Sequence, residues 1–156
     1  MSIQSIIRGA PLFKDLYDSE IDSILEKCHV MQLQSGEKIF NEGDPGEDLY
    51  LVLNGKIDIM KKGVLIASLG KAELFGEMIL LYEGTRSTDA FAVLPSDLLL
   101  LNYQSIISVY DKNPRAMSIM MLNLSRLLAD RLKRSNSEVR DLRLTCNELI
   151  SQVMTK

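Results

Sequence analysis

The chain has little cysteine and less histidine. Cys28 and Cys146 are its two cysteines and His29 its single histidine in 156 residues. Two thiols do not make a disulfide framework, and one imidazole leaves no His-rich metal site. A reduced, cytoplasmic setting is the default expectation, with Cys28 read as core packing and no metal expected. Long apolar runs are missing too. Nothing approaches the ~18 uncharged apolar residues of a membrane helix, so no membrane partner is expected. The start, Met-Ser-Ile-Gln-Ser-Ile-Ile-Arg, lacks the basic region and apolar stretch of a secretory signal. His29 follows Cys28 at the expected end of a helix and has no nucleophile to serve, so no catalytic residues and no enzyme are expected. The net charge of −3 gives no general case for nucleic acid. What is present, 46% apolar and 25% charged residues, suits one globular domain with a real core.

Charge is unevenly placed. Residues 1–113 hold 10 Lys and Arg against 17 Asp and Glu, whereas residues 114–156 hold 8 against 4. Only two arginines, Arg8 and Arg86, fall in the acidic part. A guanidinium suits bidentate anion recognition, so an isolated arginine is worth following.

The first ~30 residues read as short helices. Ile3, Ile6 and Ile7 share a face before Pro11, and Ser19 with Asp22 offers a capping-box-like start for a second helix. From Val30 the apolar period shortens to two. Val30–Gln34, Lys38–Phe40, Leu49–Leu53, Lys56–Met60, Val64–Leu69, about Ser87–Val93 and about Asp97–Leu101 read as strands. Asn54-Gly55 signals a hairpin and Lys62-Gly63 another turn. Seven or eight short strands at this spacing predict a β-sandwich or barrel.

Asn113-Pro114 opens a helix, with Asn as N-cap and Pro in the first turn. No glycine or proline follows to the end. Met121, Leu124, Leu128, Leu132, Ser135, Val139, Leu142, Cys146, Leu149 and Val153 recur at steps of three and four, with one stutter near Leu128–Leu132. The stripe reads as a dimer seam; a helix packed on its own domain is the alternative. Arg131-Leu132-Lys133-Arg134 reads as the solvated flank of that helix. Cys146 lies on the seam, as packing or as a cross-dimer disulfide.

One segment breaks the strand rhythm: Leu74-Phe75-Gly76-Glu77-Met78-Ile79-Leu80-Leu81-Tyr82-Glu83-Gly84-Thr85-Arg86-Ser87-Thr88. Gly76 permits close backbone approach or an unusual dihedral. Glu77–Leu81 can form one helical turn whose first amides face an anion. Arg86 arrives beside it with the hydroxyls of Ser87 and Thr88. Amides, an arginine and hydroxyls make a phosphate cradle, and Glu77 would repel a phosphate unless it meets neutral hydroxyls such as those of a sugar. The alternative is a structural loop closed by a salt bridge between Arg86 and an acid.

Phe75-Gly76-Glu77-Met78-Ile79-Leu80-Leu81 followed by Arg86-Ser87 resembles the phosphate-binding cassette of cyclic nucleotide-binding domains. Gly36–Asp44 and Leu49–Ile57 resemble the glycine-punctuated roll of that family, and the resemblance covers about residues 10–140. It implies a mainly β fold with flanking helices, a double-stranded β-helix or jelly-roll-like β-roll, with short N-terminal helices and a long C-terminal dimerisation helix. Residues 1–112 would hold the helices and roll and 113–156 the long helix, with no helix-turn-helix domain.

The resemblance also implies a site. Arg86 would pair with the exocyclic phosphate and Glu77 with the ribose 2′-hydroxyl. Gly76 and the first amides of the turn, through Met78 and Ile79, would surround ribose and phosphate, and Ser87 and Thr88 would add hydroxyls. Ser135 and Asn136 would meet the purine across a dimer. Ser135, the one hydroxyl in the apolar seam, is otherwise a register device. The implied function is a homodimeric cAMP or cGMP sensor with no cofactor; a ligand-free dimerisation or interaction module is the alternative. Three positions depart from the family. Thr85 replaces a proline, Ala72 a glycine, and Asp89 a small or hydroxyl residue. Strand alternation points Asp89 away from Arg86.

Overall fold

The computed structural model describes residues 3–80 and 84–154. Eight strands among the described residues form two four-stranded antiparallel sheets. One holds β1 (His29–Leu33), β8 (Ser96–Asn102), β3 (Asp48–Asn54) and β6 (Leu74–Phe75), side by side in that order. The other holds β2 (Lys38–Phe40), β7 (Asp89–Ala92), β4 (Ile57–Lys61) and β5 (Val64–Leu69). β1 pairs with β8, β2 with β7, β3 with β6 and β4 with β5. A single antiparallel ribbon rolled up on itself gives this nesting, so the fold is the expected jelly-roll-like β-roll.

The Asn54-Gly55 hairpin is corrected. β3 already has β8 and β6 on its two edges, so the chain after it must leave for the other sheet. Gly55 sits at φ +92°, and a Cβ there would lie 2.1 Å from Ser96 Oγ. The glycine therefore permits a tight crossover. The hairpin that does form joins β4 to β5 through Lys62 and Gly63, both at positive φ, as a two-residue primed turn requires.

β3 reads as an unbroken apolar run because both of its faces are buried. Leu49, Leu51 and Leu53 face the helical core, while Tyr50 and Val52 face the inside of the roll. Each such leucine contributes about 1.5–3 kcal/mol of burial. β8 repeats the pattern, with Leu99 and Leu101 toward the helices and Leu98 toward the roll.

α1 (Ile3–Gly9), a 3-10 helix at Pro11–Phe13 and α2 (Asp18–Leu25) cover the first sheet. The Ser19 cap is corrected: Tyr17 is the N-cap, and its N–H donates to Glu20 Oε2 at 2.8 Å. Arg115 at 2.7 Å and Asn113 at 3.0 Å also hold that carboxylate. Burial works against the Glu20 charge, but the Tyr17 amide, Arg115 and Asn113 prevail and keep its carboxyl below the usual range. Burial alone pushes the Cys28 thiol up to about 11.

α3 (Tyr103–Lys112) is a helix the strand pattern did not reveal; Asn102 caps it by accepting from Gln104 N–H at 3.0 Å. Asn113 then caps α4 (Pro114–Met154) through the Ala116 N–H, as expected. The 41 residues of α4 rise about 60 Å. Its first part is core: Met120 and Leu124 are buried, and the Asn123 amide donates to Leu12 O and Lys14 O at 3.1 and 2.7 Å. The stripe thus divides at its stutter. Met121, Leu124 and Leu128 pack on the chain's own core, against the seam reading for that part. Leu132, Val139, Leu142, Leu149 and Val153 are exposed.

Candidate functional site

The site grows from the end of β6. Gly76 turns the chain at φ +77°, and a Cβ there would lie 2.9 Å from Arg86 Nη1. Close approach and unusual dihedral, both anticipated from the sequence, coincide in this residue. The expected helical turn follows as a 3-10 helix at Glu77–Leu80; Leu81 lies outside the described residues. The chain returns at Gly84, and Thr85 bridges to Pro45. Arg86 is then fixed by its backbone: its N–H donates to Asp44 O and its C=O accepts from Gly43 N–H, both at 2.8 Å.

The Arg86 side chain runs inward and is 8% exposed. Nη2 donates to Asp48 O at 2.8 Å. The guanidinium lies 4.4 Å over the Phe40 ring. On another side it presses on Gly46, where a Cβ would meet Nε at 2.1 Å. Nε is buried without a hydrogen-bond partner. No carboxylate pairs with Arg86 among the described residues, which do not include Glu83 of the same loop. Phe40, Tyr50 and Phe75 make an aromatic floor beneath it, with the last two stacked at 4.9 Å.

Glu77 is equally buried and has a partner that the sequence did not disclose. Arg131 of α4 donates to Glu77 Oε1 at 2.6 Å and also to Leu74 O. Arg131 is therefore not a solvated flank residue. It neutralises the carboxylate that would otherwise repel an anion nearby, and it ties α4 to the start of the cassette. Fifty-four residues separate the pair, and no local pattern carries such a contact.

A cavity of about 930 Å³ opens between the roll and α4. That volume suits a small-molecule ligand. Gly76, Glu77, Met78, Ile79, Arg86, Ser87, Thr88 and Ser135 all line it. Asn136 does not. The α4 face toward the cavity carries Leu127, Asp130, Arg131, Arg134, Ser135 and Glu138, and Asn136 lies about 100° further round the helix from Ser135. Asp89 turns away from Arg86, as alternation predicted: its carboxylate accepts from Glu42 N–H at 2.9 Å and sits 3.8 Å from Lys38. Ala72, where the family has glycine, adopts φ +66°, a conformation glycine takes without strain.

The fold and site together define a jelly-roll-like β-roll whose ligand-sized cavity is lined by a buried arginine. Comparison with known proteins narrows this: the chain belongs to the cyclic nucleotide-binding domain family, whose model matches residues 30–113. It is 36% identical over 138 residues to the cyclic AMP receptor protein of Thermus thermophilus, covering 85% of this chain and 62% of that one. Glutaminase 1 of Bradyrhizobium diazoefficiens is 35% identical over 130 residues, covering 83% of this chain but only 21% of that protein. A crystal structure of a cyclic nucleotide-binding domain from Methylobacillus flagellatus superimposes with a TM-score of 0.79 at 26% identity, covering 88% of this chain and 80% of that one.

No described helix is long and apolar enough to cross a membrane. No group of three or more His, Cys, Asp or Glu among the described residues could hold a metal ion.

Proposed function

We propose that this chain is a regulatory sensor that binds a cyclic nucleotide, cAMP or cGMP, as a cytoplasmic homodimer and passes occupancy to α4. Residues 1–112 act as the sensing unit and 113–156 as the dimer helix, without catalysis, a cofactor or a nucleic-acid partner for these residues. Arg86 carries the reading: a buried guanidinium with an unpaired Nε and no carboxylate partner among the described residues suits an anionic ligand. Its fork takes the exocyclic phosphate oxygens, with Ser87 and Thr88 beside them. Glu77 accepts from the ribose 2′-hydroxyl while Arg131 balances its charge. Gly76, Met78 and Ile79 close around the sugar. Ser135 and Asn136 meet the purine across the dimer.

The exposed stripe from Leu132 to Val153 supports the dimer. Arg131 supports the coupling, since it joins α4 to a residue that touches ligand. A ligand shifts an equilibrium only through different contacts in its two states, so nucleotide should tighten the dimer. The second reading, a ligand-free dimerisation module, draws on the Glu77–Arg131 pair, which already satisfies the carboxylate.

Titration calorimetry with cAMP and cGMP separates the two readings. Saturable binding of one nucleotide per chain is expected, weaker for a 2′-deoxyribose analogue and weaker again in Glu77→Ala for the ribose form alone. No binding of either nucleotide refutes the sensor. Equal losses for both sugars would make Glu77 structural.

A further inference from the structure

Asp89, one of the three departures from the family pattern, does not line the cavity. It does reach the segment that holds Arg86, residues 41–47 between β2 and β3. Gly43 N–H and Asp44 O clasp the Arg86 backbone at 2.8 Å each, and Gly46 packs against the guanidinium. Where this segment lies therefore decides where the guanidinium points.

The segment is tied internally by Asn41 N–H, which donates to Asp44 Oδ2 at 2.8 Å, but that bond does not fix it to the sheet. β2 stops pairing with β7 at Phe40 and Ala90, so the strand ladder offers Glu42 N–H no acceptor. A segment with two glycines also costs entropy to order. Asp89, the first residue of β7, supplies the acceptor: its Oδ1 takes the Glu42 N–H at 2.9 Å. A ring closes. Arg86 C=O accepts from Gly43 N–H, the chain steps back to Glu42, Glu42 N–H donates to Asp89, and the chain returns through Thr88 and Ser87 to Arg86.

The charge of Asp89 is balanced. Lys38 Nζ stands 3.8 Å from its carboxylate. Lys61 of β4 donates to Ser87 O at 2.7 Å and lies 3.3 Å from Glu42 Oε1, so it joins the same two stretches a second time. Lys38, Lys61 and Glu42 are substantially exposed, where an ion pair adds little. The bond to the backbone N–H is the stronger tie, because its acceptor is charged and its donor is fixed. What the segment needs from Asp89 is an oxygen at that point. We propose that Asp89 is a positioning residue for the anion site: by accepting the Glu42 N–H it holds residues 41–47 against β7 and so sets the Arg86 guanidinium for the phosphate. This rests on the nucleotide reading of the cavity above.

The test compares Asp89→Ala, which removes the acceptor, with Asp89→Asn, which keeps an oxygen and removes the charge. The full chain and both variants are titrated calorimetrically with cAMP, cGMP and their 2′-deoxyribose analogues. Asp89→Ala should weaken the preferred nucleotide about 3- to 30-fold. Asp89→Asn should stay within about twofold of the unaltered chain. The Asp89→Ala loss should be equal for the two sugars, because it acts through the phosphate. Amide hydrogen exchange adds a check that needs no variant: Glu42 N–H should be protected in the unaltered, unliganded chain. Unchanged affinity in Asp89→Ala, whatever its melting temperature, overturns the inference and leaves the nucleotide site standing. So do equal losses in both variants, which would assign the effect to charge. Tighter binding in both variants overturns it as well, since that reports a carboxylate repelling the phosphate. A loss confined to the ribose form would trace to Glu77 and not to Arg86, and overturns it too. Glu42 N–H exchanging as fast as free chain refutes the tie itself. Binding of no nucleotide by the unaltered chain overturns both this inference and the proposed function.

Discussion

Replacing Arg86 with alanine separates a ligand-binding arginine from a structural one, because the two roles have opposite signatures. Its side chain gives a charge-assisted bond to Asp48 O, worth about 1.5–3 kcal/mol. It also stacks on Phe40, worth about 1–2 kcal/mol. Against these stand a buried charge without a counter-ion among the described residues, costing several kcal/mol, and an unpartnered Nε, costing about 1–3 kcal/mol. The opposing contributions are similar in size. Arg86→Ala should therefore change folding stability by less than about 2 kcal/mol, or under about 8 °C in Tm. Nucleotide affinity should behave differently. Removing one member of a buried, hydrogen-bonded charge pair costs about 2–5 kcal/mol, or roughly 30- to 5,000-fold in Kd. Arg86→Lys keeps the charge without the fork and should fall between the two. Thermal melts of the unliganded proteins and calorimetric titration with cAMP and cGMP supply both numbers, and both nucleotides should lose alike. An Arg86→Ala protein that melts far lower yet binds with unchanged affinity refutes the phosphate assignment.

Leu142 is 70% exposed in the protomer and lies on the proposed seam. Leu142→Asp would bury an unpaired charge there, so sedimentation should change from dimer to monomer; an already monomeric parent protein contradicts the seam. Ala72→Gly should relieve the strain of φ +66°, about 1–2 kcal/mol. It should also return about 0.4–1 kcal/mol to the unfolded chain, for a net gain under about 1.5 kcal/mol in chemical denaturation; a net loss contradicts the strain argument. The Glu20 carboxyl is lowered in the folded state, so the unfolded state takes up the proton first. Its contribution is complete above the unfolded value and lost as pH falls through the folded one. Tm plotted against pH should fall less steeply below about pH 4.3 for Glu20→Gln than for the parent protein; identical slopes would remove Glu20 from the acid response.

What the sequence disclosed was local. The strand periods, the Asn113-Pro114 helix start and the glycine-acid-arginine order around Gly76 and Arg86 each lie within a few residues, where propensity and spacing act. The departure at Ala72 was visible as well, and its positive φ gives the reason glycine suits the position. Failures arose where distant segments decide. Asn54-Gly55 has hairpin chemistry, but β3 had no free edge to accept β4. The Ser19 cap lost to Tyr17 because Glu20 is fixed by Arg115, 95 residues away. Arg131 looked like one of several basic residues on a helix flank until the fold brought Glu77 to it. The seam was legible as a stripe, but only packing shows that Leu124 serves the chain's own core while Leu142 does not. Asn136 falls outside the cavity because the face turned to the roll is set by Leu127 and Arg131, not by the seam.

A crystal structure of the chain saturated with cyclic nucleotide tests the central claim most directly. The account predicts a nucleotide in the cavity between the roll and α4. Exocyclic phosphate oxygens should lie about 2.7–2.9 Å from the Arg86 guanidinium, with the ribose 2′-hydroxyl on Glu77. A nucleotide bound elsewhere, or one in the cavity whose phosphate does not touch Arg86, would contradict it.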